Sequence, residues 1–100
     1  EGEDFAAAVP FLDEAIAVYE RDHPEKIKNL ADARSIRGGV LVRLERFAEA
    51  EPILIEAYEM LEKTESVNRT GRALGRIVEL YDAWGKPEEA ARWREKQTGS

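Results

Sequence analysis

The side chains best suited to recognition chemistry in this sequence are arginines, which are concentrated in two stretches, 24–44 and 67–84. A guanidinium group donates paired hydrogen bonds whose geometry matches a carboxylate. The segments 1–20 and 51–66 are acidic, with net charges of −6 and −4. These side chains are either solvated charges on the helix surfaces or part of a face that binds acidic groups. The basic residues are Lys26, Lys28, Arg34, Arg37, Arg43, Arg69, Arg72 and Arg76.

Residues typical of catalytic or metal sites are scarce. There is no cysteine, and the only histidine is His23, which precedes a proline and suits a helix cap or a packing position. No metal-ligand spacing surrounds it, and a lone histidine builds no Ser-His-Asp triad. Gly71 and Gly75 follow no predicted strand, so they make no phosphate loop. We predict that the chain is not an enzyme, has no catalytic residues and takes no metal or cofactor.

The net charge of −6 argues against nucleic-acid binding, which needs a basic footprint. Apolar runs are far shorter than the ~20 residues that cross a bilayer, so we predict no membrane partner. The absence of cysteine fits a reducing compartment, and we predict a cytoplasmic protein. Because the chain opens on Glu1 rather than methionine, we expect it to be a piece of a longer protein.

Apolar residues recur at steps of three and four along most of the chain, which is typical of amphipathic helices. Breaks at Pro24, Ser66 and Gly85 separate the helical segments. Ser66 suits an N-cap, and Gly85 suits the left-handed residue that ends a helix. We predict one all-α domain over 1–100, with helices at 4–21, 24–44, 47–63, 67–84 and 87–96.

The helices repeat in sequence. Residues 4–20 and 46–62 are identical at eight of seventeen positions, at an offset of 42 residues. The helix that starts at Pro87 opens in a similar way, 40 residues after Phe47. A repeat of this length indicates stacked helix pairs. Gly38 and Gly39 stand inside the helix 24–44, where each costs roughly 1 kcal/mol against alanine, so we expect another helix to approach closely there.

These residues resemble tetratricopeptide repeats of the longer, kinesin-light-chain-like kind. The last repeat also resembles the repeats that some bacterial serine/threonine kinases append. A HEAT or armadillo array shares the period of about 40 residues, but its pattern does not require these alanines and prolines. The resemblance is carried by Asp22-His23-Pro24, Leu30-Ala31, Gly38, Arg46-Phe47, Ala48-Glu49-Ala50-Glu51-Pro52-Ile53-Leu54, Ala57, and Gly85-Lys86-Pro87 with Ala90.

The resemblance implies a right-handed α-solenoid of antiparallel helix pairs with about two and a half repeats. In the family, the first helix of each pair lines a concave groove, and here these helices are 24–44 and 67–84. Arg72 and Arg76 match two positions of the family's carboxylate clamp, but Ile36 stands where an asparagine is expected. The implied groove residues are Arg34, Ser35, Arg43, Arg72, Arg76 and Glu79.

Three residues depart from the family pattern. Arg34 and Arg37 occupy positions that are usually large and apolar, and Glu45 replaces a turn glycine. We therefore expect the helix 24–44 to be rotated, so that it packs through Ala33, Ile36 and Val40.

Two functions follow from these patterns. The first is a non-catalytic scaffold that binds an acidic peptide, a protein segment or a C-terminal carboxylate in the basic groove. The second is a regulatory or structural region of a larger bacterial signalling enzyme such as a kinase, without its own ligand. The first helix exposes Phe5, Leu12 and Ile16, which we expect a preceding repeat or a second copy of the chain to cover, so a homodimer through the end repeats is one prediction.

Overall fold

A computed structural model describes residues 4–98 of the chain. This part of the chain forms five α-helices joined by short loops. In chain order they are α1 (Phe5–Asp22), α2 (Ile27–Arg43), α3 (Phe47–Glu62), α4 (Val67–Trp84) and α5 (Pro87–Gln97).

The helix starts follow from local hydrogen bonds. At the start of α1, the Asp4 carboxylate accepts a hydrogen bond from the Ala7 amide at 3.2 Å. Helix α2 begins three residues later than predicted, because residues 23–26 close a separate turn in which the Lys26 amide donates to the His23 carbonyl at 3.0 Å. Ser66 occupies the N-cap position of α4, but its side chain makes no capping hydrogen bond; Pro87 is the first residue of α5.

Helices α2 and α4 end in the same way. The Arg46 amide donates to the Leu41 carbonyl, and the Lys86 amide donates to the Tyr81 carbonyl, each at 2.9 Å. Both turns need a residue with positive φ. Gly85 provides it at 78°, whereas Glu45 adopts 61° in place of the usual glycine, at a cost of about 1 kcal/mol.

Each helix packs on the next one in the chain, and α2 also packs on α4. This arrangement produces one continuous core, as expected for stacked helix pairs. Within residues 4–98, no helix is long and apolar enough to cross a membrane. The fully buried core side chains are Ala31, Leu41, Ala50, Leu54, Ala57, Leu61, Ala73, Ile77, Leu80 and Ala90.

The predicted rotation of α2 is wrong. Ile36 is 36% exposed, and Ala33 and Val40 are only half-buried. Helix α2 instead buries the face that contains Ser35 and Leu41. It does not rotate because its two unusual arginines are accommodated by carboxylates on α1, described below, rather than turned to solvent.

Gly38 explains a close approach between two helices. A Cβ atom at this position would lie 2.7 Å from Leu54 Cδ2 and 3.3 Å from Ile53 Cγ2. Both side chains belong to α3, so the absence of a side chain at Gly38 lets α3 seat against α2. The predicted helix contact is thereby located, and its partner is α3.

Candidate functional site

Arg43 of α2 and the arginines of α4 lie along the contact between these helices. We call this region the α2–α4 surface, and its charged and polar members are Asp32, Ser35, Arg43, Arg69, Arg72, Arg76 and Glu79. Its scaffold is rigid because both helices contribute buried side chains to the core on their other faces. Side chains on such a scaffold are held in place without help from loops.

Arg76 is the central cation of the α2–α4 surface. Its Nη1 donates a hydrogen bond to Ser35 Oγ at 2.8 Å, and Ser35 is fully buried. No carboxylate oxygen in residues 4–98 lies within salt-bridge distance of the Arg76 guanidinium. Burial is the main cause that lowers the pKa of Arg76; the nearby Asp32 and Glu79 carboxylates oppose this shift, and neighbouring Arg72 adds to it. Arginine stays charged at neutral pH, so this group remains a half-buried cation with spare donors.

The neighbouring arginines differ in how they are paired. Arg43 Nη2 lies 3.2 Å from Glu79 Oε2, and Arg69 Nε lies 3.8 Å from Asp32 Oδ2. The second pair is loose, since Arg69 Nε and Asp32 Oδ1 are buried without a hydrogen-bond partner in the described chain.

Arg72 stands one helical turn before Arg76 on α4, and it forms no ion pair with any residue between 4 and 98. Like charges four residues apart on a helix repel. Within residues 4–98, neither Arg72 nor Arg76 forms an ion pair, although the Asp32 and Glu79 carboxylates lie near enough to act on the Arg76 charge. An anion placed between the two arginines would relieve their repulsion.

Gly39 positions the stem of Arg76. A Cβ atom at residue 39 would lie 3.2 Å from Arg76 Cδ, which is tighter than an ordinary van der Waals contact. The bare backbone of Gly39 therefore lets the arginine lie flat on α2 and reach Ser35. The two adjacent glycines thus have different roles, since Gly38 admits a helix and Gly39 admits one side chain.

Most of the predicted groove residues come together, but one does not. Ser35, Arg43, Arg76 and Glu79 interact across the α2–α4 contact, and Arg72 adjoins them. Arg34 points away from this group, toward α1 and α3. Its Nη2 donates to Glu20 Oε2 at 2.5 Å, and its Nη1 contacts Met60 Sδ at 3.5 Å.

Arg34 and Arg37 instead form an ion-paired joint between α1 and α2. Arg37 Nε donates to Asp13 Oδ1 at 2.5 Å, beside the Arg34–Glu20 pair. The two arginine side chains are 33% and 25% exposed. A cleft of about 330 Å³ separates α1 from α3 here, and Ile16 and Ile53 form its apolar walls. This cleft is nearly neutral, because each arginine already has its carboxylate.

Metal-binding groups do not converge in the described residues. No cluster of three or more histidine, cysteine, aspartate or glutamate residues in 4–98 has metal-binding geometry. Asp32 and Gly39 belong to the α2–α4 surface but were not predicted from the sequence. The cost of two adjacent helical glycines was the available signal for Gly39, whereas no pattern marked Asp32.

Known proteins agree with this architecture. Residues 29–96 match the Tetratricopeptide repeat family. Regulatory protein RapK from Bacillus subtilis (strain 168) is 27% identical over 90 residues, which make up 90% of this chain and 24% of that relative. The chain therefore spans about a quarter of the length of that curated relative. No solved structure matches the chain. With a match over more than half of its length, the chain belongs to the tetratricopeptide repeat family, whose repeats bind protein partners.

Proposed function

We propose that this chain is a non-catalytic interaction segment of a cytoplasmic protein, and that its α2–α4 surface binds an acidic peptide or protein segment. Arg72 and Arg76 are the donors to the ligand's carboxylates. The observation that carries the proposal is that these two neighbouring arginines have no carboxylate partner among residues 4–98, whereas Arg43 and Arg69 each lie beside one. Charge-assisted hydrogen bonds of a half-buried arginine are among the stronger polar contacts in proteins.

The test is a charge reversal on this surface. The probe is a fluorescein-labelled synthetic peptide in which aspartate alternates with leucine, and fluorescence anisotropy measures its affinity. We expect Arg72→Glu with Arg76→Glu to abolish binding, and we expect wild-type affinity to fall as salt rises. The matched control, Arg92→Glu with Lys96→Glu, makes the same charge change on exposed positions of α5. Equal affinity for the wild type and the α2–α4 variant would refute the proposal.

A second candidate function is a regulatory or structural region of a larger signalling enzyme, such as a serine/threonine kinase, without a ligand of its own. The observation that favours it is the similarity to a protein named as regulatory, of which the matching stretch is a small part. In that case the labelled peptide would bind the wild type and the α2–α4 charge-reversal variant equally weakly. The charge reversal would instead alter the activity of the intact parent protein, which an activity assay of that protein measures.

The outer face of α1 supports a further helix contact. None of the described α1 residues is fully buried, but the prediction that Phe5, Leu12 and Ile16 are exposed is wrong, since all three are half-buried. The exposed large apolar residue of α1 is Phe11, at 74%. Its counterpart 42 residues later, Ile53, packs on α2 at Gly38. We propose that a helix of a preceding repeat or of a second copy covers Phe11. Light scattering distinguishes the two, since Phe11→Ser converts a dimer to a monomer only if a second copy covers this face.

A further inference from the structure

A cavity of about 370 Å³ opens where α2 begins and α3 ends. Its volume falls in the range of roughly 300–1,000 Å³ that is usual for small-molecule sites. None of its lining residues belongs to the α2–α4 surface, so a ligand bound here would not compete with the acidic segment proposed above. The lining consists of Glu25 from the turn before α2, Ile27 and Lys28 from α2, Met60 from α3, and Lys63 and Thr64 from the loop after α3.

Ile27 and Met60 form the apolar part of this cavity. Ile27 is 46% exposed, although it belongs to a helix that contributes other side chains to the core. Met60 is half-buried, and Arg34 Nη1 donates to its Sδ at 3.5 Å from α2. A methionine side chain is flexible and adapts to the shape of an apolar ligand. Covering these two side chains would remove apolar surface from water, which favours an apolar ligand.

Two lysines stand beside the apolar part of the cavity. Lys28 and Lys63 are exposed, and neither forms an ion pair with a residue between 4 and 98. Glu25 is the acidic residue of the lining, and its Oε2 lies 3.7 Å from Nδ1 of His23. The lining therefore favours an anion. A lysine ammonium is a compact charge on a flexible apolar stem, so it reaches an anionic group while its stem extends the apolar wall.

We propose that this cavity binds a small amphiphilic anion of the medium-chain fatty acid class. The carboxylate lies between the ammonium groups of Lys28 and Lys63, and the alkyl chain lies against Ile27 and Met60. The two lysines select an anion over a cation, and the apolar side chains select an alkyl chain over a sugar or a free phosphate. This inference goes beyond the proposed function, because it concerns a different surface and a different class of ligand.

The only methionine of the chain lies in this cavity, so it reports on the ligand directly. With methionine labelled by ¹³C in its methyl group, the chain gives one methyl resonance, from Met60, whose shift measures binding in an NMR titration. The ligands are octanoate below its critical micelle concentration, octanol, octylammonium and acetate. We expect octanoate to give a saturable shift, and we expect the other three compounds to bind about tenfold more weakly or not at all, because each lacks the anion or the chain.

Substitution of Ile27 locates the alkyl chain. We expect Ile27→Ser to weaken octanoate binding about fivefold, because it removes apolar surface that the chain covers. Val67→Ser is the matched control. Val67 is the first residue of α4 as Ile27 is of α2, and it is 81% exposed, but it does not line the cavity. We expect this control to leave octanoate affinity unchanged.

Neutral substitutions of the two lysines locate the carboxylate. We expect Lys28→Gln with Lys63→Gln to weaken octanoate about tenfold, to the level of octanol, and to leave octanol affinity unchanged. The control, Arg92→Gln with Lys96→Gln, removes two positive charges from exposed positions of α5 that do not line the cavity. All of these substitutions are at exposed positions, and thermal melts verify that each variant is folded.

Three results would overturn the fatty-acid site. They are the absence of a saturable Met60 shift with octanoate, equal affinities for octanoate and octylammonium, and equal weakening by Ile27→Ser and Val67→Ser. The charge reversal of Arg72 and Arg76 separates this site from the proposed function, since we expect it to leave octanoate affinity unchanged. Loss of octanoate binding in that variant would contradict the independence of the two surfaces.

Discussion

The two joints between successive repeats of this chain are built from different interactions. In the α1–α2 joint, Arg34 and Arg37 of α2 pair with Glu20 and Asp13 of α1. The equivalent positions of α4, 40 residues later, hold two apolar residues that are buried in the core, Leu74 and Ile77.

This difference has an energetic consequence. Partly exposed ion pairs contribute about 0–1 kcal/mol each, because solvent and salt screen them. Burying a leucine or isoleucine contributes roughly 1.5–3 kcal/mol. The contact between α3 and α4 is therefore the strong joint of the fold. The contact between α1 and α2 is the weak joint, and it is sensitive to salt. Repeat proteins gain stability from each interface separately, so the weak joint is expected to open first.

The largest effect is expected when an arginine, like those of the weak joint, replaces an apolar residue of the strong joint. Ile77→Arg places a charge in a fully buried position. None of the α4 contacts described above brings a carboxylate to this position. We expect a loss of about 3–5 kcal/mol in unfolding free energy, measured by urea denaturation with circular dichroism. Ile77→Val is the control and should cost about 1 kcal/mol. A loss below that of the control would mean that the α4 position tolerates charge as α2 does.

The contact between α3 and α4 also includes polar contacts within residues 4–98, one of them made by Tyr81 and another by Thr70. Tyr81 is buried, and its hydroxyl donates to Glu51 Oε2 of α3 at 2.7 Å. We expect Tyr81→Phe to lower the unfolding free energy by about 1–2 kcal/mol, since it removes a hydrogen bond to a charged acceptor. The control is Tyr19→Phe on α1, a half-buried tyrosine, which we expect to cost less than about 0.5 kcal/mol. Equal losses in urea denaturation would contradict the comparison.

Alkaline pH should weaken the part of the core around α3. Burial raises the pKa of Tyr58 to about 12, and the nearby Glu62 carboxylate adds to the shift. The folded state thus holds the tyrosine proton more tightly than the unfolded state, in which the pKa is about 10. Stability is therefore complete below pH 10 and declines as pH rises toward 12, by on the order of 1 kcal/mol. Melting temperature plotted against pH should fall more steeply for the wild type than for Tyr58→Phe over this range. Parallel plots for the two proteins would exclude a role for Tyr58.

The smallest stability change is expected at the weak joint itself. Arg37→Leu leaves Asp13 about half exposed, so water can replace the lost pair, and we expect the unfolding free energy to change by less than about 1 kcal/mol.

The informative signal for Arg37→Leu is salt dependence. In the wild type, hydrogen exchange of α1 amides should accelerate between low and high salt, while exchange in α4 stays constant. The variant should lose most of this acceleration. Acceleration of both helices to the same extent would show that the two joints do not differ.

The periodicity of apolar residues, the repeat offset and the turn residues determined the five helices and their pairing. These features are local, since each lies within a few residues of the helix that it specifies. Gly85 at a left-handed position and Pro87 at a helix start are examples. Clustering of the arginines on α2 and α4 predicted a basic surface, and the structure brings Arg43, Arg69 and Arg76 to the contact between these helices but not Arg34 or Arg37.

Only the tertiary structure decided which neighbouring helix each arginine of α2 contacts. Adjacent residues on a helix point about 100° apart, so Arg34 and Ser35 face different neighbours: Arg34 reaches α1 and α3, and Ser35 reaches α4. Whether Arg34 and Arg37 turn to solvent or stay half-buried depends on carboxylates contributed by another helix, which no local pattern of α2 encodes. The exposure of Ile36 beside Arg76 follows from that same choice of rotation.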